Sequence, residues 1–267
     1  MMKIKEGEIM GRILSVCNQK GGVGKTTVSV NLGVGLVREG QKVLLVDADP
    51  QGSMTASLGF VEPDDIGRTL ATVMEELMED KEIDPFDGIL HHEEGVDLVP
   101  ANIELAGLDV ALVNAISRET VMKSYLEELR DSYDWIIIDC MPSLGMLTIN
   151  ALAATDEVII PCSAAYLPVK GLEQLIGTIS KVKRRLNREL TVRGILMTMV
   201  DFRTNYAKDV AETIREGYGS NVGVFDTVIP HSVRASEPSA EGVSIYRHCP
   251  NGKAAEAFTN LTKEVLG

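Results

Sequence analysis

The sequence predicts an α/β protein: a three-layer fold with a mostly parallel twisted sheet flanked by helices. Short β-branched runs recur along the chain with helical segments between them, the pattern of successive βαβ units. Several of those runs, "WIIID" above all, are apolar without alternation, so they are expected to be buried on both faces. No internal repeat, linker or low-complexity tract interrupts the order.

The strands are expected at "RILSVC" (12–17), "KVLLVD" (42–47), "VDLVPA" (96–101), "WIIIDC" (135–140), "EVIIPC" (157–162), "RGILMTMV" (193–200) and "VFDTVI" (224–229). Between them, 27–38, 103–115, 118–131, 145–154, 170–187 and 205–217 read as helices. The acidic stretch 74–88 reads as a peripheral helix and loop without chemistry. At the carboxyl end, Ala254, Ala257, Phe258, Leu261 and Val265 recur at three- and four-residue intervals, giving a terminal helix one apolar face. Residues 253–267 hold two lysines against two glutamates. A membrane-surface helix wants a cationic polar face, so docking onto the core is expected. Residues 1–10 read as a flexible N-terminal extension and 11–267 as one domain.

Composition narrows the class. A chain of 267 residues with 45% hydrophobic content can bury a substantial core. It has no run of about 18 apolar residues and a charged start, which points to a cytoplasmic protein without a membrane span. Four scattered cysteines, Cys17, Cys140, Cys162 and Cys249, lack metal-site or disulfide spacing and read as small buried hydrophobes. The net charge of −13 hides an asymmetry: residues 1–165 carry 12 Lys and Arg against 28 Asp and Glu, residues 166–267 carry 14 against 11. A basic patch able to meet a polyanion fits the second part, and so does a solvated face of mixed charge.

The chemistry centres on "NQKGGVGKTTVSVNLG" (18–33). It nearly spells the phosphate-binding loop G-x-x-x-x-G-K-[ST], but Gln19 stands where the first glycine belongs and Lys20 follows it. A strand before the loop and a helix opening at Thr26 supply the context such a loop requires. Consecutive N–H groups of Gly21, Gly22, Val23, Gly24, Lys25, Thr26 and Thr27 would face phosphate oxygens at the helix N-terminus. Lys25 would reach the β- and γ-phosphates of ATP and Thr26 would ligate Mg2+. Two further strands end in acids: "LLVDADPQG" supplies Asp47 and Asp49, and "IIIDCMPSLG" supplies Asp139. Ligands of open parallel sheets bind at such carboxyl ends. Asp139 is therefore a candidate to hold Mg2+, directly or through water, and Asp49 is a candidate both for the metal site and to orient the attacking water.

With these residues in view the chain resembles the deviant Walker A ATPases, and within them the ParA/Soj partition proteins of the ParA/MinD superfamily. The resemblance rests on "KGGVGKTT" (20–27), "VDADPQG" (46–52), "IIIDCMPSLG" (136–145), "LPVKGLEQL" (167–175), "MVDFRTN" (199–205) and "VIPHSVRASEPSAEGVSIY" (228–246). It implies slow MgATP hydrolysis, with Lys20 reaching across a nucleotide-sandwich homodimer to the partner's phosphates. Pro230 and Ser232 would lie against the base side of the nucleotide. It further implies non-specific binding of double-stranded DNA, stimulation by a ParB-like centromere-binding protein, and a nucleoid-associated place in the cytoplasm. Many relatives carry arginine after the proline, where this chain has His231, mostly neutral at pH 7. DNA contact would then lean on Arg203, Arg234 and the cluster Lys181, Lys183, Arg184, Arg185 and Arg188, a cluster that fits equally the solvated end of a helix. Met141 is a second departure, where relatives often have proline, and is expected to alter loop stiffness. The same ATPase design also serves MinD-like membrane-cycling or cluster-positioning proteins, which would use a cationic amphipathic tail. An iron–sulfur reductase would need a second cysteine ligand beside Cys140, and a tyrosine kinase a tyrosine-rich tail; neither is legible. The phosphate loop starts within the first twenty residues, so no helix-turn-helix is expected ahead of it.

Overall fold

The computed structural model describes residues 10–163, 169–201, 203–220, 222–232 and 237–267. Eight strands form one sheet: β1 (Arg12–Val16), β2 (Val43–Ala48), β3 (Leu90–His91), β4 (Asp97–Val99), β5 (Trp135–Cys140), β6 (Glu157–Ser163), β7 (Thr191–Val200) and β8 (Val224–Pro230). Their spatial order is β3-β4-β2-β5-β1-β6-β7-β8. Every pairing is parallel except β3 with β4. The helices are α1 (Lys25–Arg38), α2 (Ser53–Ser57), α3 (Leu70–Met78), α4 (Glu104–Ala111), α5 (Val121–Leu129), α6 (Met146–Ala154), α7 (Val169–Arg185), α8 (Asn205–Tyr218), α9 (Pro238–Glu241), α10 (Ile245–His248) and α11 (Lys253–Leu266).

All seven strands expected from the β-branched runs are present, and α1 starts one residue before Thr26, at Lys25. The central strands are buried along their whole length, as continuous apolar runs require. Successive side chains feed opposite faces: Ile13, Ile136 and Ile138 enter the core under α3 to α8, while Leu14 and Ile137 enter the core under α1 and α11. This is the three-layer arrangement.

The helix expected within 74–88 begins earlier than the acids suggest. α3 runs Leu70–Met78, its start held by the Thr72 hydroxyl, which accepts the Thr69 N–H and donates to the Thr69 carbonyl, both at 2.8 Å, and it buries Leu70, Ala71, Val73 and Met74 in the core. Within 74–88 only Met74 is buried, so that stretch is the solvated end of the helix and the loop after it, while the first half of α3, ahead of the acids, belongs to the core. The terminal helix behaves as predicted. On α11, Ala254, Ala257, Phe258, Leu261 and Val265 are all buried in the core that also holds the inner face of α1. Full burial of the Phe258 ring contributes about 2–3 kcal/mol. The last turn of α11 also clasps the sheet edge: the Glu264 carboxylate accepts the N–H groups of Asp226 (2.8 Å) and Thr227 (3.0 Å) on β8. Arg193 of β7 donates to the carbonyls of Glu264 (3.2 Å) and Val265 (2.6 Å).

Candidate nucleotide site

β1 ends at the carboxyl edge of the sheet and releases the chain through Cys17 and Asn18 into the loop that opens α1. Gly22 (φ 69°) and Gly24 (φ 86°) take the left-handed backbone that side chains other than glycine's disfavour. Gly24 caps α1 with no side-chain bond, and the first turn holds no acid. The unsatisfied N–H groups and positive end of a 14-residue helix are thus aimed where an anion would sit. Distant strands pin the loop. Asn18 Nδ2 donates to Pro161 O (2.7 Å) on β6, and Thr198 Oγ1 on β7 donates to Val23 O (2.8 Å). Lys25, buried to 7% exposure, turns its ammonium into the loop and donates to Lys20 O (3.1 Å). Lys20 itself is exposed.

Facing the loop, β2 and β5 pair Asp47 directly against Asp139. Thr26 Oγ1 donates to Asp139 at 2.6 Å and Ser29 Oγ at 3.2 Å. Burial, with Asp47 adding like charge, pushes the Asp139 carboxyl up to about 7 against the pull of Thr26, Lys25 and Ser29. Asp47 is pushed up to about 6 by burial, opposed by its bonds from Thr55 N, Thr55 Oγ1 and Asp49 N. Asp49 stands half-buried at the start of the following turn, its Oδ1 accepting Gln51 N–H at 3.0 Å. A hydroxyl and a desolvated carboxylate side by side fit a hard divalent cation, whose charge would offset the cost of ionising Asp139. Among the described residues no cluster of three or more His, Cys, Asp or Glu could hold a metal. Mg2+ binds through one or two protein oxygens with phosphate and water completing its shell, and Thr26 Oγ1 and the Asp139 carboxylate are oxygens of that kind. Under the loop the buried thiols of Cys17 and Cys140 face each other, and burial pushes the Cys17 thiol up, as expected of inert interior cysteines.

On the other side of Gly24 a cavity of about 260 Å³ is lined by Thr27, Met199, Pro230, Ser232 and Phe258. The structure therefore brings Pro230 and Ser232 to the loop from just over 200 residues away. Met199 forms part of this wall in a left-handed conformation (φ 54°), an uncommon state for a long side chain that tends to collect at functional sites. The DNA candidates lie apart. Arg203 is 87% exposed in its side chain and bound to Asp201 at 2.7 Å, which holds the Asp201 carboxyl down at about 2. Lys181, Lys183, Arg184, Arg185 and Arg188 are exposed at the far end of α7, about 20 Å along the helix from its first turn. No ion pair among the described residues engages them. Arg234 lies outside the described residues.

Several site residues escaped the sequence reading. Asn18, Ser29, Thr55 and Thr198 hold the loop and acids in place, and Gln19 anchors the loop to Gly171 and Gln174 on α7. The last two stand inside "LPVKGLEQL", so that motif was the available signal for them.

A loop of this construction at the carboxyl edge of a parallel sheet, facing acids from two other strands, defines a phosphate-loop nucleotide-binding protein. A family model described as an AAA domain matches residues 11–192. The sporulation initiation inhibitor protein Soj of Bacillus subtilis (strain 168) is 44% identical over 260 residues, covering 96% of this chain and 98% of that protein. The chromosome partitioning protein ParA of Myxococcus xanthus is 42% identical over 259 residues, 96% of this chain and 88% of its own. Among solved structures, cobyrinic acid a,c-diamide synthase from Mycobacterium smegmatis, with bound ATP analog and magnesium, superposes with a TM-score of 0.85 at 36% identity, covering 96% of this chain and 94% of that one. The chain belongs to the Soj/ParA-type partition ATPases of the ParA/MinD superfamily.

Proposed function

We propose that this chain is a DNA-segregation ATPase: one ATPase domain over residues 11–267, residues 1–10 being an extension, that binds MgATP and pairs with a second copy of itself. It holds DNA without reading bases until a ParB-like partner speeds hydrolysis. The observation that carries this reading is the uncapped N-terminus of α1, with the Thr26–Asp139 pair on one side and exposed Lys20 on the other. Amides of residues 21–27 and the Lys25 ammonium hold the triphosphate, Thr26 and Asp139 hold Mg2+, and Asp49 orients water beside it. Pro230 and Ser232 bound the base. Lys20 extends to the nucleotide of the partner subunit, so a cation complementing the transferring phosphate arrives only when two chains meet.

Lys20→Ala is expected to keep nucleotide affinity within about threefold while the ATP-dependent dimer is lost at micromolar protein. Size-exclusion chromatography with light scattering reads this directly, and an undiminished dimer would refute the bridging role.

DNA retention is assigned to the end of α7, because its cations are exposed while Arg203 is engaged by Asp201. The double change Arg184→Glu/Arg185→Glu should weaken binding of random duplex at least about tenfold in low salt and flatten the salt slope by about 2. ATP turnover should be preserved. Equal retardation of DNA by this variant would move the contact elsewhere. Binding of this kind places the protein on the nucleoid within the cytoplasm. A membrane-cycling role would call for an apolar helix face open to lipid, and α11 spends its face on the core.

A further inference from the structure

We propose that Gln19, seated where an ordinary phosphate loop has its first glycine, is a positioning residue that clamps the loop to α7 and so holds Lys20 for its contact across the dimer. The inference rests on the reading of Lys20 given above. The Gln19 side-chain Nε2 donates to Gly171 O (3.0 Å) and to Gln174 Oε1 (2.9 Å), both in the first turns of α7. A glycine at position 19 could make neither bond and would widen the backbone freedom of its neighbour.

The rest of the Lys20 backbone is tied as well. Its N–H donates to Asn18 Oδ1 (3.0 Å), Asn18 in turn donates to Pro161 O (2.7 Å), and the Lys20 carbonyl accepts from Lys25 Nζ (3.1 Å). Gln19 adds bonds to α7, the helix that follows β6 in the chain, so the loop is braced between a strand and a helix. Gly171 permits the approach, since a Cβ there would come within 2.9 Å of Gln19 Nε2. A lysine on a flexible four-carbon stem loses much rotamer freedom when it docks. Fixing its main chain beforehand leaves only the side chain to be ordered when the dimer forms.

The test uses the full chain with a non-hydrolysable ATP analogue and Mg2+, measuring dimer dissociation by light scattering and nucleotide affinity by fluorescence titration. Gln19→Met keeps the side-chain length and removes the donor. It is expected to weaken the dimer about tenfold while nucleotide affinity stays within about threefold. Gln174→Ala should weaken the dimer less, because Gly171 O still accepts. Gln174→Glu should match wild type within about twofold, because a carboxylate oxygen takes the same N–H. A dimer in Gln19→Met as tight as wild type overturns the positioning role. So does Gln174→Glu that is as damaging as Gln174→Ala. Parallel losses of nucleotide affinity and dimer in Gln19→Met would assign the residue to nucleotide binding and overturn it too. An unmutated chain that stays monomeric with the analogue overturns the underlying reading of Lys20, an outcome visible before any variant is made.

Discussion

Replacing Lys25 with alanine is expected to lower MgATP affinity at least about 100-fold, the loss of an ammonium that would donate to two phosphates. The side chain is buried at 7% exposure and already curls inward to Lys20 O at 3.1 Å. Its charge is therefore held inside the curve of the loop, where phosphate oxygens would meet it without rearrangement. Little stability should be lost, since a buried ammonium with one carbonyl partner is itself costly. Isothermal titration on the folded variant, checked by its thermal melt, is the measurement. An affinity within about threefold of wild type would remove Lys25 from the phosphate site.

Asp139→Asn is expected to move two measurements in opposite directions. Without nucleotide or metal, the melting temperature at pH 8 should rise by about 2–8 °C, the range that 1–2 kcal/mol gives in a chain of this size. The sign follows from linkage. The folded carboxyl is pushed up to about 7 from an ordinary 3.8, so the folded state holds the proton more tightly than the unfolded chain. Its contribution is fully present below the ordinary carboxylate value and is lost as pH rises through about 7. Asparagine removes that penalty, and the gap between variant and wild type should close towards pH 4. The second measurement is the extra stabilisation by ATP with Mg2+ over ATP with a chelator, which should vanish. A variant less stable than wild type at pH 8, or one still stabilised by the metal, would contradict the assigned role.

The strands were legible because each is a β-branched run long enough to stand out, and "WIIID" announced burial on both faces. β3 was not, being two residues of mixed character, Leu90 and His91, that pair only because β4 lies beside them. α2, α9 and α10 are four or five residues long, too short for a helical period to register. For α3 the acids Glu75 and Glu76 drew the reading outward, whereas Leu70, Ala71, Val73 and Met74 decide where the helix packs. In the site, most residues proposed to hold the nucleotide and metal are contiguous in the loop or stand at strand ends, so the sequence displays them. Those that hold the site come from afar: Ser29 meets Asp139 across 110 positions, and Thr198 reaches Val23 across 175. Such pairs exist only once the sheet order is set, and no local pattern encodes them.

The carboxylate of Glu264 has a practical corollary. A border strand with open amides is a template on which another chain can add itself, the usual route to fibrous association. Here two adjacent amides of β8 are occupied by one side chain from the final turn of α11. Shortening that turn, or straining it with a bulky fusion, would uncover a sticky margin, and the resulting aggregates could be mistaken for filaments of biological origin.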